Sequence, residues 1–388
     1  WNIAQEPFMK DIKSVSTLKL RLSAGLTGQQ DCIGDYVHLA RYNISNNPSY
    51  MYNMGGGNFV HPMTPQAYDP TIKWETTLTY NVGVDYGFFN ERLSGSVDVY
   101  MAETKDLLNS VRVPMGSGFG NKLMTNIGSI INSGVEIAIS GVPVQKPDFS
   151  LQIGFNGTFQ DTKFTKLNAT DDPGYYIETG GISRGTGNFL CRQMVGYAPY
   201  TYYAYKQKYD ESGRPLQNEF VDLDGDGEIT ENDRYMTGKS ISPDFYYGLN
   251  FKLNYRNWDF GFNGHGSAGA WAFNDFNSAN STASLDLNAG NLPNQALIVK
   301  TTGFTAPNSA RQWYSDYFIE NTSFFRLDDI NLGYTFRSIG RWETDIRVGA
   351  AVQNVFLISG YGGADPEVIS ENGIDGITWS RPRTFSLR

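Results

Sequence analysis

The sequence predicts an all-β protein: an antiparallel arc of a membrane-spanning barrel with long extracellular loops. Three observations carry this. Apolar residues recur at every second position. The alternating segments run about 9–13 residues, near what a tilted strand needs to cross a bilayer and longer than the roughly 5–6 of globular strands. The connections alternate between short turns and long loops, as in outer-membrane barrels. Composition agrees: 42 Gly, 24 Tyr and 24 Phe in 388 residues, with only 18% charged, favour strands and turns over helix or disorder. A net charge of −9 excludes a nucleic-acid partner, which needs a basic stripe. No apolar run reaches the roughly 18 residues of a membrane helix.

The segments follow in order at 17–26, 76–88, 92–103, 133–143, 149–161, 244–255, 258–270, 323–337, 344–357 and 380–388. In 78–88, LTYNVGVDYGF, Leu78, Tyr80, Val82, Val84, Tyr86 and Phe88 share one face, opposite Thr79, Asn81, Gly83, Asp85 and Gly87. Successive strand side chains point to opposite faces, so one side is greasy and the other small and polar. The same alternation runs through Leu18–Ala24, Val135–Ile139, Phe245–Tyr255 and Ile330–Phe336. Aromatics such as Phe245, Tyr255, Trp258, Tyr334 and Phe336 sit at the ends of the apolar faces, as interfacial girdles do.

Short turns are expected at Asn90–Glu91, around Gln145–Pro147, at Arg256–Asn257 and around Ser338–Arg341. Long stretches separate the pairs, near 27–74, 105–132, 163–243, 272–322 and 359–379. Residues 194–209 and 214–221 also look strand-like. Counting them as spanning breaks the up-and-down parity, so they belong to an extracellular excursion. The inward Gly, Ser, Asn and Thr are too small to fill a ten-stranded lumen, so the chain is an arc of something larger. Arg21, Asp85, Asp98, Glu136 and Arg347 give the polar face local charge, directed at whatever fills the pore.

The stretches KWETTLTYNVGVDYGFFNERLSGSVDVY, INSGVEIAISG, DLDGDGEITENDR, FFRLDDINLGYTF and AVQNVFLISGYGGADPEV resemble the C-terminal half of SusC/RagA-type TonB-dependent transporters, over nearly the whole chain. The resemblance implies that residues 1–388 supply about 10 strands of a 22-strand barrel in the outer membrane of a Gram-negative bacterium of the Bacteroidetes. It further implies active import of glycan or peptide, with a SusD-like surface lipoprotein as lid and the TonB complex as energy source. The part contacting TonB and the plug would precede Trp1. No leader is visible in WNIAQEPFMK, and RPRTFSLR lacks the terminal aromatic usual in such barrels, so the natural C-terminus is expected to be missing. A soluble calcium-stabilised adhesin or glycan-binding β-domain is the alternative, and a passive porin a third option.

DLDGDGEITEND (222–233), within the extracellular loop 210–243, has the spacing of an EF-hand-type loop. Asp222, Asp224 and Asp226 take positions 1, 3 and 5, Gly227 the turn, Glu228 the backbone ligand, Thr230 position 9 and Asp233 position 12. Aspartate at 12 is one methylene short of the usual glutamate. Calcium fits oxygen ligands of this kind better than magnesium, which demands stricter octahedral geometry. No amphipathic helix pair flanks the loop, so a structural metal is expected rather than a sensor. Trp271, Trp313 and Tyr361 are the weaker choices for substrate contact. Gly55–Gly57 lacks the Lys-Ser/Thr of a phosphate loop, GHGSAGA lacks nucleophile-elbow spacing, and Asp365/Glu367 read as solvated acids; no enzyme is expected. Cys32 and Cys191 are free or form one bridge.

Overall fold

The computed structural model describes residues 1–388 except 32, 45–46, 48, 50, 113–121, 169, 171, 283–294, 306–308 and 340–343. Ten strands form one antiparallel sheet in chain order: β1 (Val15–Gln29), β2 (Glu75–Phe88), β3 (Leu93–Lys105), β4 (Ser129–Lys146), β5 (Phe149–Lys166), β6 (Phe245–Tyr255), β7 (Trp258–Ala268), β8 (Phe324–Ile339), β9 (Thr344–Ser359) and β10 (Thr384–Leu387). All ten expected segments are present. β1 and β10 end the sheet and do not pair with each other, so it is an open arc. The free edge of β1 is met by the backbone of Trp1, whose carbonyl accepts from the Leu20 amide at 2.9 Å. Among the described residues, no helix is long and apolar enough to cross a membrane.

Register keeps the apolar face continuous. One row runs Leu22, Val82, Val99, Val135, Phe159 and Phe245 across six strands. These side chains are not packed into an interior: Leu22 is 72% exposed, Val82 49%, Val99 52% and Phe159 50%. A self-contained soluble domain would have pressed them together, whereas apolar exposure on this scale marks a surface made for another apolar phase.

The dry core lies in the loops. Ile182, Leu190, Cys191, Tyr202 and Ala204 from the β5–β6 connection pack with Phe273, Phe318 and Ile319 from β7–β8 and Ile374 from β9–β10. Residues 194–209 and 214–221 belong to this body: Phe189–Met194 and Thr201–Tyr205 lie in a four-stranded loop sheet, and Gln207–Tyr209 pairs with Pro215–Phe220. A second sheet joins Ile319–Asn321, Trp271–Asn274 and Ile374–Asp375, with Phe273 pairing Ile374 in parallel.

Boundaries differ where the backbone departs from a plain ladder. β10 begins at 384 rather than 380. Just past the Gln353–Thr384 pair, Asn354 stands at φ 52, and its side-chain amide donates to the Arg381 carbonyl at 2.7 Å. Residues 340–343 of the fourth short turn lie outside the described residues.

Candidate functional site

The polar face of the arc is a wall of paired charges. Strand alternation aims Arg21, Asp85 and Asp98 inward from β1, β2 and β3. The Arg21 guanidinium donates to both Asp85 oxygens and, at 2.9 Å, to Asp98. Arg21 and Asp98 lie on either side of Gly83 in one cross-strand row. A Cβ at Gly83 would stand 2.2 Å from Asp98 Oδ1, so the bridge can cross β2 only over a glycine. The device recurs: Arg347 on β9 donates to Asp259 on β7 at 2.9 Å across Gly333 on β8. Arg21, Asp85, Asp98 and Arg347, expected to face whatever fills the pore, are therefore bonded within the wall, one guanidinium being shared by two aspartates. Glu136 is the exception, with no ion pair among the described residues.

At the extracellular lip a denser network ties the wall to the β9–β10 loop. Arg326 of β8, 2% exposed, donates to Asp365 at 2.6 Å, Glu367 at 2.9 Å and Asn354 at 2.6 Å. Glu367 also meets His265 Nε2 at 3.2 Å and Arg381 at 2.9 Å, while His265 Nδ1 lies 2.7 Å from Asp328. The acids that read as solvated are thus a buried clamp. Its one sequence signal was an arginine in the inward phase of an aromatic strand, FFRLDD.

The acidic loop brings three of its predicted ligands together. One carboxylate oxygen from each of Asp222, Asp224 and Asp226 lies within 4.8 Å of the others. The turn forms as its spacing dictates: Asp222 accepts from the amides of Gly225 and Gly227, and Asp226 from Glu228. Gly225 and Gly227 sit at φ 78 and 85, backbone that glycine adopts freely. Asp233 is used differently. It is fully buried and accepts from the amides of Leu223 and Thr230, both at 2.7 Å. Those amides hold its carboxyl below the usual range, and with Thr230 it caps the short helix Glu231–Asp233. The donor set suits a hard cation at Asp222, Asp224 and Asp226, while the Asp233 carboxylate closes the loop by accepting from the amides of Leu223 and Thr230.

The three aromatic choices sit in the loop body. Trp271 and Trp313 pack half-buried against its core, and the Lys239 ammonium lies 3.8 Å from the Trp271 ring centroid. Tyr361 donates to Asp375 at 2.5 Å, and burial with that carboxylate raises its phenol. Not foreseen was a stack of alternating rings and guanidinia, Tyr176–Arg192–Tyr203–Arg234–Tyr314, with spacings of 3.8, 3.4, 4.4 and 4.4 Å. Such cation–π contacts stiffen the loop body, more so when desolvated. Burial lowers the Arg234 guanidinium. Cys191 is buried, its thiol pushed up to about 12 by burial, and is chemically quiet. Its suggested bridge to Cys32 falls on a residue outside those described.

A profile of the family described as "TonB dependent receptor-like, beta-barrel" matches residues 34–355. The chain belongs to that family. It lies in the outer membrane of a Gram-negative bacterium, as such barrels do. It is 39% identical over its whole length to TonB-dependent receptor SusC of Bacteroides thetaiotaomicron, covering 38% of that protein. It is 30% identical to TonB-dependent receptor P3 of Formosa agariphila, covering all of this chain and 40% of the relative. In fold it matches the RagAB peptide transporter with a TM-score of 0.79, 21% identity, and coverage of 100% of this chain and 42% of the other. The chain thus spans about two-fifths of the length of these relatives. The resemblance read from the quoted stretches is borne out, as is the partial-barrel architecture.

Proposed function

We infer that this barrel segment belongs to an active importer of glycan or peptide nutrients, driven through the TonB complex and capped outside by a SusD-like lipoprotein. The observation that carries the reading is the two-faced sheet: an exposed apolar side and a polar wall whose Arg21 and Arg347 are paired internally. Charges engaged with one another in this way hold a passing polar solute less strongly than free ones would. The loop body, stiffened by its own core and by the Arg326 clamp, supplies a rigid outer mouth on which a lid can close. Calcium at Asp222, Asp224 and Asp226 is proposed as structural, offsetting the entropy of ordering the loop. The half-buried rings of Trp271, Trp313 and Tyr361 are the proposed aromatic contacts. No catalytic chemistry is assigned, because Asp365 and Glu367, the carboxylate pair nearest to a hydrolase motif, are held by Arg326. The test is uptake of labelled oligosaccharide and peptide pools by cells with and without the gene and with and without TonB. Gene-dependent uptake that disappears without TonB supports the reading. Uptake that persists without TonB identifies a passive pore instead.

A further inference from the structure

The short-turn end of the sheet carries a groove on its apolar side that transport does not use. Its floor is Gly141. The outward row there runs Phe88, Leu93, Gly141, Ile153 and Phe251, so the glycine leaves a gap in an otherwise large-side-chain surface. A Cβ on Gly141 would meet nothing nearer than the Ile153 carbonyl at 3.9 Å. Immediately beyond it the ladder between β4 and β5 shifts register between Gly141 and Val144, and Val142–Pro143 bulge outward as one end of the groove. Ile139 and Phe155 line the other end, and the groove encloses about 480 Å³.

Its rim is built from the β2–β3 turn. Phe89, Asn90 and Glu91 all have left-handed backbone, at φ 56, 60 and 62, a conformation unfavourable for a bulky residue such as Phe89. It is held by the Phe89 amide donating to Ser14 at 2.9 Å, the Asn90 amide to Ser16 Oγ at 2.9 Å, and Thr17 Oγ1 to Glu91 at 2.6 Å. The effect is to turn the Phe89 ring outward, 61% exposed, over the groove mouth. Beside it Arg92 is exposed and spends one hydrogen bond on the Pro143 carbonyl at 3.2 Å. Arg92 has no ion-pair partner among the described residues.

We propose that this groove seats one acyl chain of a glycerophospholipid from the periplasmic leaflet, with its phosphate held by Arg92. Two features select that occupant. The groove is continuous with the lipid-facing band, so its contents are hydrocarbon. Its unpaired cation, Arg92, stands at turn level, where the headgroups of the leaflet beside the short periplasmic turns lie. Lipid A belongs to the opposite leaflet, beside the long loops.

The test uses the full-length protein, passed through nanodiscs of phosphatidylethanolamine and phosphatidylglycerol and released into mild detergent for native mass spectrometry. The wild type retains one tightly held phospholipid. Gly141→Leu fills the floor and loses it. Arg92→Gln, in an exposed turn that folding tolerates, lowers occupancy about fivefold, the factor matching about 1 kcal/mol per interfacial cation. Equal retention by wild type and Arg92→Gln overturns the proposal. So does a wild type that carries only detergent, or one that selects lipid A from a mixture.

Discussion

Replacing Arg326 by methionine would test whether the lip network holds the last long loop to the barrel. The methionine side chain would keep much of the aliphatic packing and remove the cation. Asp365, whose side chain is 2% exposed, would keep only the Glu367 amide at 3.1 Å among its present donors. Stranding one partner of a buried ion pair costs about 3–5 kcal/mol. Glu367 retains His265 and Arg381, so the lower half of that range applies. About 3 kcal/mol is a factor of roughly a hundred in the opening equilibrium of the loop. Amide hydrogen exchange reads it at Gly373 and Phe273, whose amides bond to Ser370 at 2.8 Å and Gly373 at 2.9 Å. Both should exchange about a hundredfold faster, while amides of β4 and β5 stay unchanged. The double variant Arg326→Met/Asp365→Asn should recover much of the loss, because no unpaired charge remains. Unchanged protection in Arg326→Met, or no recovery in the double variant, would refute the clamp.

Three further outcomes follow from the same contacts. Gly83→Val should lower the melting temperature by displacing Arg21 from Asp98, whereas Gly25→Val, with nothing within 4 Å of its Cβ, should leave it nearly unchanged. Asp224→Ala should lower thermal stability in calcium but not in EDTA; identical melting curves for wild type with calcium and with EDTA would remove the metal from the account. Because Asp233 titrates below its ordinary value, its contribution is complete above the unfolded-state value of about 4 and is lost as pH falls through the lowered folded value. Limited proteolysis at 222–233 should therefore show protection holding to mildly acid pH and failing below about 4, and Asp233→Asn should be nicked even at neutral pH.

The sheet was legible because a strand against lipid writes its pattern locally. Leu22, Val82 and Val135 each announce their face through neighbours one and two positions away. The convergence of Asp222, Asp224 and Asp226 was legible for the same reason, the three lying close together in sequence. What stayed hidden depends on distant pairing. Arg326 and Asp365 are 39 residues apart, and Arg21 and Asp98 are 77 apart, so inward charges that read as pore-facing turned out to be bonded to one another. Asp233 occupied a ligand position in the pattern, yet the fold turns both its oxygens to backbone amides. The loop core drew residues from three connections, and no period within any one of them signals that.

The central claim is that one side of these strands is wetted by lipid and the other faces a wide aqueous lumen. Single spin labels at 78–85 of β2 in the full-length protein, in bilayers, test it most directly through accessibility to dissolved oxygen and to a water-soluble nickel chelate. Labels at Leu78, Tyr80, Val82 and Val84 should favour oxygen and those at Thr79, Asn81 and Asp85 the chelate, Gly83 being left native because a side chain there meets Asp98. Uniform accessibility, or oxygen favouring the odd positions, would contradict the account.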